Sequence, residues 1–419
     1  MSRFALRALI VAAALSLAAC ASIPYEKLDA PLPPAVQVAD GSPERAALNG
    51  RVWDASVGYA RRLFYKRDFG GVPFLAEAAD RRATAVAEPD EDGFYARLTD
   101  LLELLDDDHT HALSPVEREM VQARERGEAR AGFGFVLTAR GDDRYVSIVR
   151  PGSPAADAGI LPGWRIETVN GHSVLVAPPP VIGRTDQLVF LDEHDVRHTL
   201  DLTAVLTEPR TRFETRSLDD GVAYIRFDDF DQTRYDLFTA EMERLAETPP
   251  SGLVIDLRGN GGGRLDISGR VASWFFTDEQ DYARIKGRII DTRVTIDPAE
   301  PAYSGPVVIL TGPSSASAAE LLSGVLQEKG RAVVVGGPTR GAVTGVRAIN
   351  LPDGGLLRIG MIVMTTPSGR SLEKVGVTPD VSIADDWLAA RAGRDLPLEA
   401  ALVTLRQRAA SARDGADLP

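Results

Sequence analysis

Cysteine is nearly absent from this chain: Cys20 is the only one among 419 residues, so no internal disulfide can brace the fold. Histidine is scarce too, with five in all, and none lies beyond His198. Positive charge is in deficit. Lysine and arginine number 47 against 60 aspartates and glutamates, a net charge of −13, which argues against nucleic acid as a partner. Past the N-terminal segment, no apolar run is long enough to cross a bilayer. There is no internal repeat, and the alanine-rich C-terminal end is the only biased segment. Gly259–Gly263 lacks the lysine and the serine or threonine that would make it a phosphate loop. His109 and His111 stand beside Asp106, Asp107 and Asp108, but without the ordered ligand spacing of a metal site. No metal and no other cofactor is expected. What is present is an apolar content of 44 %, enough for real cores over a length that suits two or three domains.

The N-terminus reads as an address. Arg3 and Arg7 form a charged region, Ala8 to Leu17 a short apolar one, and Leu17-Ala18-Ala19 brings small residues up to Cys20. That is the pattern of a bacterial lipoprotein signal peptide, with Cys20 as the lipid-attachment residue. The apolar run is too short for a comfortable transmembrane anchor. Removing Arg3 and Arg7 takes the net charge from −13 to −15. Pro24, Pro31, Pro33, Pro34 and Pro43 mark residues 21–45 as a tether. Ala21 and Ser22 place no acid after the cysteine. The expectation is a protein of the bacterial cell envelope, held to the membrane by its lipid, facing the periplasm and anchored in the outer membrane.

Composition then divides the chain. Residues 46–118 repeat apolar side chains at helical spacing, as in Val52, Val57, Ala60, Leu63 and Phe64, then Phe94, Leu98, Leu101, Leu102 and Leu105. Residues 119–207 turn to short strands and glycine turns. Over 208–385 strands alternate with helices, which predicts an α/β layer on a mostly parallel sheet. The strands fall at Val222–Phe227, Leu253–Asp256, Val307–Leu310, Ala332–Val335 and Leu356–Met364; the helices fall at 235–247, 265–275 and 316–328. A polar helical tail, 386–419, is expected at the periphery.

One apolar strand, Val307-Val308-Ile309-Leu310, runs into Gly312-Pro313-Ser314-Ser315-Ala316-Ser317-Ala318-Ala319-Glu320 and a helix. A serine hydroxyl there can attack a carbonyl, because a helix start offers unpaired N–H groups to a developing oxyanion. The same Ser-x-x-Glu spacing also describes a capping box. Upstream, Leu253-Val254-Ile255-Asp256-Leu257-Arg258 is a buried strand entering the turn Gly259–Gly263. Together these segments resemble the catalytic half of the C-terminal processing (tail-specific) serine proteases. The resemblance implies a crotonase-like or ClpP-like core and makes Ser317 the nucleophile, with Ser314 and Ser315 as fallbacks. Within 119–207, the run Gly132-Phe133-Gly134-Phe135 and the strings Gly152–Ile160 and Gly163–Gly171 resemble a PDZ domain. A peptide with an apolar C-terminus would add to its edge strand, its carboxylate meeting the backbone of Gly132, Phe133, Gly134 and Phe135. The fold expected is therefore multidomain α/β: a protease core, an inserted PDZ domain and a helical N-terminal region.

The base is less direct. Lysine-using members of the family carry that lysine after a glycine–threonine turn, and here the turn reads Gly337-Pro338-Thr339-Arg340-Gly341 with Ala342 in the lysine slot. Alanine takes no proton, and Arg340 keeps its own. Lys329 and Lys374 lie nearby in sequence but outside the slot. Leu104-Leu105-Asp106-Asp107-Asp108-His109-Thr110 resembles the Leu-x-Asp-x-His-Thr motif of the tricorn-core branch, where serine pairs with histidine. That resemblance makes His109 the base and Glu373, just before Gly376-Val377-Thr378-Pro379-Asp380, the group that orients it. The branch's serine before the histidine is Asp108 here. The oxyanion hole would combine the N–H of Ala318 with that of Gly262 or Gly263. Asp256 reads as a structural carboxylate. The alternative, motivated by Ala342, is a catalytically inactive lipid-anchored adaptor that binds tails through its PDZ surface.

Overall fold

The computed structural model describes residues 34–416, apart from 127, 141–142, 175–176, 178, 208–211 and 384–385. The signal segment, Cys20 and most of the tether lie outside the described residues. The chain folds as two units. One comprises residues 34–122 with Gly287–Ile289 and Thr344–Ile362; the other holds the remainder.

The first unit is built on three helices. Pro43–Leu63 starts cleanly: the Ser42 hydroxyl accepts the Arg45 N–H at 3.1 Å, Pro43 fills the first turn, and Arg61 and Arg62 face the negative end of the dipole. Its inward stripe of Leu48, Val52, Trp53 and Ala60 meets Phe74 and Ala78 of Phe74–Val86, and Phe94, Leu98 and Leu101 of Glu91–Leu102. Trp53 is buried whole, and its indole N–H donates to the Ala78 carbonyl at 3.2 Å. The short strand His111–Leu113 follows and pairs antiparallel with Leu356–Arg358, His111 opposite Arg358. That pairing corrects the expectation that the strand at 356–364 joins the α/β layer. It also means that 208–385 is not one continuous core, since Thr344–Ile362 returns to the first unit.

In the second unit, an antiparallel sheet runs in the order Phe135–Arg140, Asp143–Val149, Arg165–Val169, Thr185–Leu191 and Arg197–Thr203. Val146, Ile166, Leu188, Phe190 and Leu202 close its core. Phe135–Arg140 is the edge strand. The other sheet has six strands, Phe213–Ser217, Val222–Phe227, Gly252–Asp256, Val307–Thr311, Val333–Gly336 and Val381–Ser382, all parallel past the first pair. Its central strands are buried on both faces, which is why they read as unbroken Val, Ile and Leu. Helices Gln232–Glu247, Leu265–Ser273 and Ala318–Glu328 follow its strands.

The expected peripheral tail is not peripheral. Leu396–Ala416 lays Ala401 and Leu405 against Val222, Val254 and Val308. Leu405 occupies the space left by Gly252, where an added Cβ would come within 3.0 Å of it. Asp395, just before this helix, takes both Arg258 nitrogens at 2.7 and 2.8 Å. Two buried positions per several turns left too faint a stripe to announce this packing in the sequence. No helix among the described residues is long and apolar enough to cross a membrane.

Candidate active site

The site in the second unit is assembled where two neighbouring parallel strands end. Gly252–Asp256 and Val307–Thr311 lie side by side, Asp256 opposite Leu310, so the turns that follow them meet. Asp256 closes the first strand as a structural carboxylate. It accepts Tyr224 Oη at 2.7 Å and Arg258 Nη2 at 2.6 Å. Burial alone would raise its pKa, but the Arg258 charge and hydrogen bonds outweigh that and hold it below the ordinary value.

Asn260, fully buried, ties the two turns together. Its Nδ2 donates to the Phe227 carbonyl at 3.1 Å, its Oδ1 accepts the Gly262 N–H at 2.8 Å, and its own carbonyl accepts the Ala316 N–H at 3.0 Å. Gly262, at φ +107°, comes so close to the serine turn that a Cβ would lie 2.6 Å from Ser317 Cβ and 3.2 Å from the Ala318 nitrogen. Glycine is required there. The Gly262 N–H is thus already held by Asn260.

Ser317 precedes the helix Ala318–Glu328 with φ +55° and ψ −118°. Ordinary caps elsewhere in the chain differ. Ser42, Asp90, Ser153 and Asp231 are all extended, and each accepts a first-turn N–H through its side chain. A serine serving only as a cap has no reason to leave that geometry, which costs about 1–3 kcal/mol at a non-glycine residue. Ser317 thus stands at a sharp elbow between the strand Val307–Thr311 and the helix Ala318–Glu328. Ser315 is excluded as nucleophile, since its buried hydroxyl donates to the Leu257 carbonyl at 2.7 Å and accepts the Gly312 N–H at 3.1 Å. Ser314 is exposed.

Glu320, also fully buried, holds the elbow. One carboxylate oxygen accepts the N–H groups of Ser317 (2.9 Å) and Ala342 (2.8 Å), and the other accepts Thr339 Oγ1 and the Gly341 N–H, both at 2.6 Å. Ala342, in the lysine slot, is 3 % exposed. The next N–H, of Val343, donates to Glu373 Oε2 at 2.8 Å, so Glu373 is a half-buried, bonded carboxylate. Lys374 is exposed. Lys329 caps the far end of the Ala318–Glu328 helix, about 18 Å from Ser317 at 1.5 Å per residue. Ser268 donates to the Ala318 carbonyl at 3.0 Å and bonds Tyr282 Oη, both side chains being buried. Sequence reasoning missed Asn260 and Ser268 and read Glu320 only as a spacing mark.

His109 belongs to the first unit. It sits half-buried in the turn after Asp106, whose φ of +50° ends the preceding helical turn. Its Nδ1 lies 3.9 Å from Asp107 Oδ1. His111 is different: burial first, then Arg358 and His109, push its pKa down to about 4. In the second unit, His198 stacks on Trp164 and bonds Asp192 at 2.9 Å, while His172 and His194 are exposed.

Gly132, Phe133, Gly134 and Phe135 come together at the head of the edge strand. Gly132 pairs with Val205, Phe133 is buried and stacks on Phe135, and Gly134 (φ +87°) lies against Ser153.

Residues 221–383 match peptidase family S41. A carboxyl-terminal-processing protease of the cyanobacterium Picosynechococcus is 26% identical over 339 residues, 77% of this chain and 81% of that one. The chloroplastic C-terminal processing peptidase of Tetradesmus obliquus is 30% identical over 341 residues, 74% of this chain and 70% of that one. The solved photosystem II D1 C-terminal processing protease shares the fold, with a TM-score of 0.61 at 23% identity over 80% of this chain and 93% of that one. The chain is thus a peptide-bond hydrolase of the serine type. Within that class it belongs to the C-terminal processing proteases of family S41.

Proposed function

We propose that Ser317 is the nucleophile of an endopeptidase that uses histidine rather than lysine as its base. The observation that carries this is the positive φ of Ser317 at a helix start walled by Gly262. In this reading Ser317 Oγ attacks the scissile carbonyl carbon and its proton passes to His109. The N–H groups of Ala318 and Gly263 meet the oxyanion. His109 then returns the proton to the leaving amine, and water hydrolyses the acyl-enzyme by the same route in reverse. Lysine is disfavoured because Ala342 fills the slot and Lys329 stands at the wrong end of its helix. Glu373 joins the site by anchoring Val343, next to that slot, and by orienting His109.

The antiparallel sheet is read as a PDZ domain. It would capture a polypeptide with an apolar C-terminus by strand addition along Phe135–Arg140, with the carboxylate at Gly132–Phe135. The parallel sheet is read as a crotonase-like core. Cys20 is read as the lipid-bearing residue of a periplasm-facing outer-membrane protein. The test is cleavage of an unfolded protein with an apolar tail by the form lacking residues 1–20. Folded Ser317→Ala and His109→Ala should both lose cleavage. The buried alanine in the lysine slot favours a second reading, an inactive adaptor; tail binding without any cleavage by wild type would select it.

A further inference from the structure

The carboxylate of Asp107 has no exposed surface in its side chain, although the residue sits in a surface-turn sequence of three consecutive acids. Such burial needs compensation, and only half of it is visible. One oxygen accepts the Thr110 hydroxyl, and that hydroxyl in turn accepts the Gly360 N–H at 2.9 Å. Gly360 has no room for a side chain, since a Cβ would run into Asp107 and Thr344. The carboxylate is therefore pinned on one side by a hydroxyl that a backbone amide in turn fixes. Its other oxygen, Oδ1, is buried without a hydrogen-bond partner among the described residues and lies 3.9 Å from His109 Nδ1.

We infer that Asp107 is a positioning residue for His109, a fixed carboxylate that shares with Glu373 the setting of the ring's orientation and itself receives, at Nδ1, the positive charge forming on it. This rests on His109 being the base. A carboxylate facing Nδ1 keeps the proton on that nitrogen and leaves Nε2 to take the serine proton. The contact is weak while the ring is neutral at 3.9 Å. It strengthens when the imidazolium forms, which is what lowers a barrier rather than merely binding substrate. Thr110 and Gly360 prevent the carboxylate from turning away.

The test compares wild type, Asp107→Asn, Thr110→Val and Thr110→Ser. Asp107→Asn should lower kcat by about 10²- to 10⁴-fold with KM little changed, and move the acid limb of kcat/KM to lower pH, because the imidazolium loses its partner. In an inactive Ser317→Ala background, the NMR titration of His109 should move the same way. Thr110→Val should cost about tenfold in kcat, and Thr110→Ser should restore it. An unmoved acid limb and NMR titration in Asp107→Asn would overturn the inference while leaving the Ser–His reading standing. If Asp107→Asn does not fold, kcat of Thr110→Val within twofold of wild type overturns it. Wild-type cleavage by His109→Ala would instead remove the reading it rests on.

Discussion

Glu320→Gln is the most direct test of how the elbow is held. The substitution keeps shape and volume but replaces one acceptor oxygen by an amide nitrogen. At the Oε2 position that nitrogen would confront two backbone donors, Ser317 and Ala342. At Oε1 it confronts only the Gly341 N–H and a hydroxyl, Thr339, that can rotate. The amide nitrogen therefore takes Oε1. The Gly341 N–H then loses its acceptor, which costs about 1–3 kcal/mol, and the bonds to Ser317 and Ala342 lose charge assistance worth about 1 kcal/mol more. The total, about 2–4 kcal/mol, should appear as a Tm lower by about 5–10 °C. The chemical effect should be larger. With its N–H held less firmly, Ser317 relaxes toward an extended cap, and a displacement of about 1 Å costs roughly 10²-fold in rate. Cleavage assays well below the Tm, with the reactive serine counted by a phosphonate probe, separate the two effects. A Tm within about 1 °C of wild type and kcat within about twofold would refute the argument that these four bonds hold Ser317 in place.

Gly262→Ala should abolish cleavage, because its Cβ would stand 2.6 Å from Ser317 Cβ at a φ of +107°; a folded variant by circular dichroism with normal activity would contradict the close approach. Leu405→Ala, at a 2 % exposed position against Gly252, should destabilise by about 2–5 kcal/mol in urea melts, whereas a peripheral helix would give almost nothing. His111 is held neutral, its pKa lowered to about 4 by burial, Arg358 and His109. Its contribution is complete above about pH 6.5 and is lost as pH falls toward 4, when the unfolded chain binds a proton that the folded one resists. That loss reaches about 3 kcal/mol. His111→Gln should flatten the stability curve between those pH values relative to wild type; parallel curves would show that His111 is not its source.

The parallel sheet was legible because its strands are buried on both faces, so Leu253–Asp256 and Val307–Leu310 read as unbroken apolar runs bounded by glycine. The helix Glu91–Leu102 was legible because its buried Phe94, Leu98, Leu101 and Leu102 recur at helical spacing. Elements were harder to see where long-range pairing decides them. The strand beginning at Leu356 carries the same apolar signal as the others, and its pairing with His111–Leu113 is a long-range one that no local pattern announces. Leu396–Ala416 hides its packing because its fully buried positions, Ala401 and Leu405, are too few to mark a stripe. In the site, Ser317 and the glycines stand in short local motifs. Asn260 and Ser268 act through partners 33 and 50 positions away, Phe227 and Ala318, and the Thr110 hydroxyl that holds Asp107 is itself fixed by Gly360, 250 positions away, relations that local pattern does not encode.

Ala342 favours a dead site only as far as its missing side chain goes. Ala342 and Val343 remain useful through their backbones, since their N–H groups are the donors that fix Glu320 and Glu373. The segment can therefore lose its side-chain base and keep its scaffold function. The strain at Ser317 bears on the choice more directly. Relaxing that residue to the extended geometry of Ser42 or Ser153 would recover about 1–3 kcal/mol, and a scaffold that only presents a peptide-binding sheet has no use for the cost. Glu320, Gly262 and Asn260 all oppose that relaxation. Releasing the elbow should therefore leave the only activity of an adaptor, tail binding, untouched, whereas in a protease it removes cleavage.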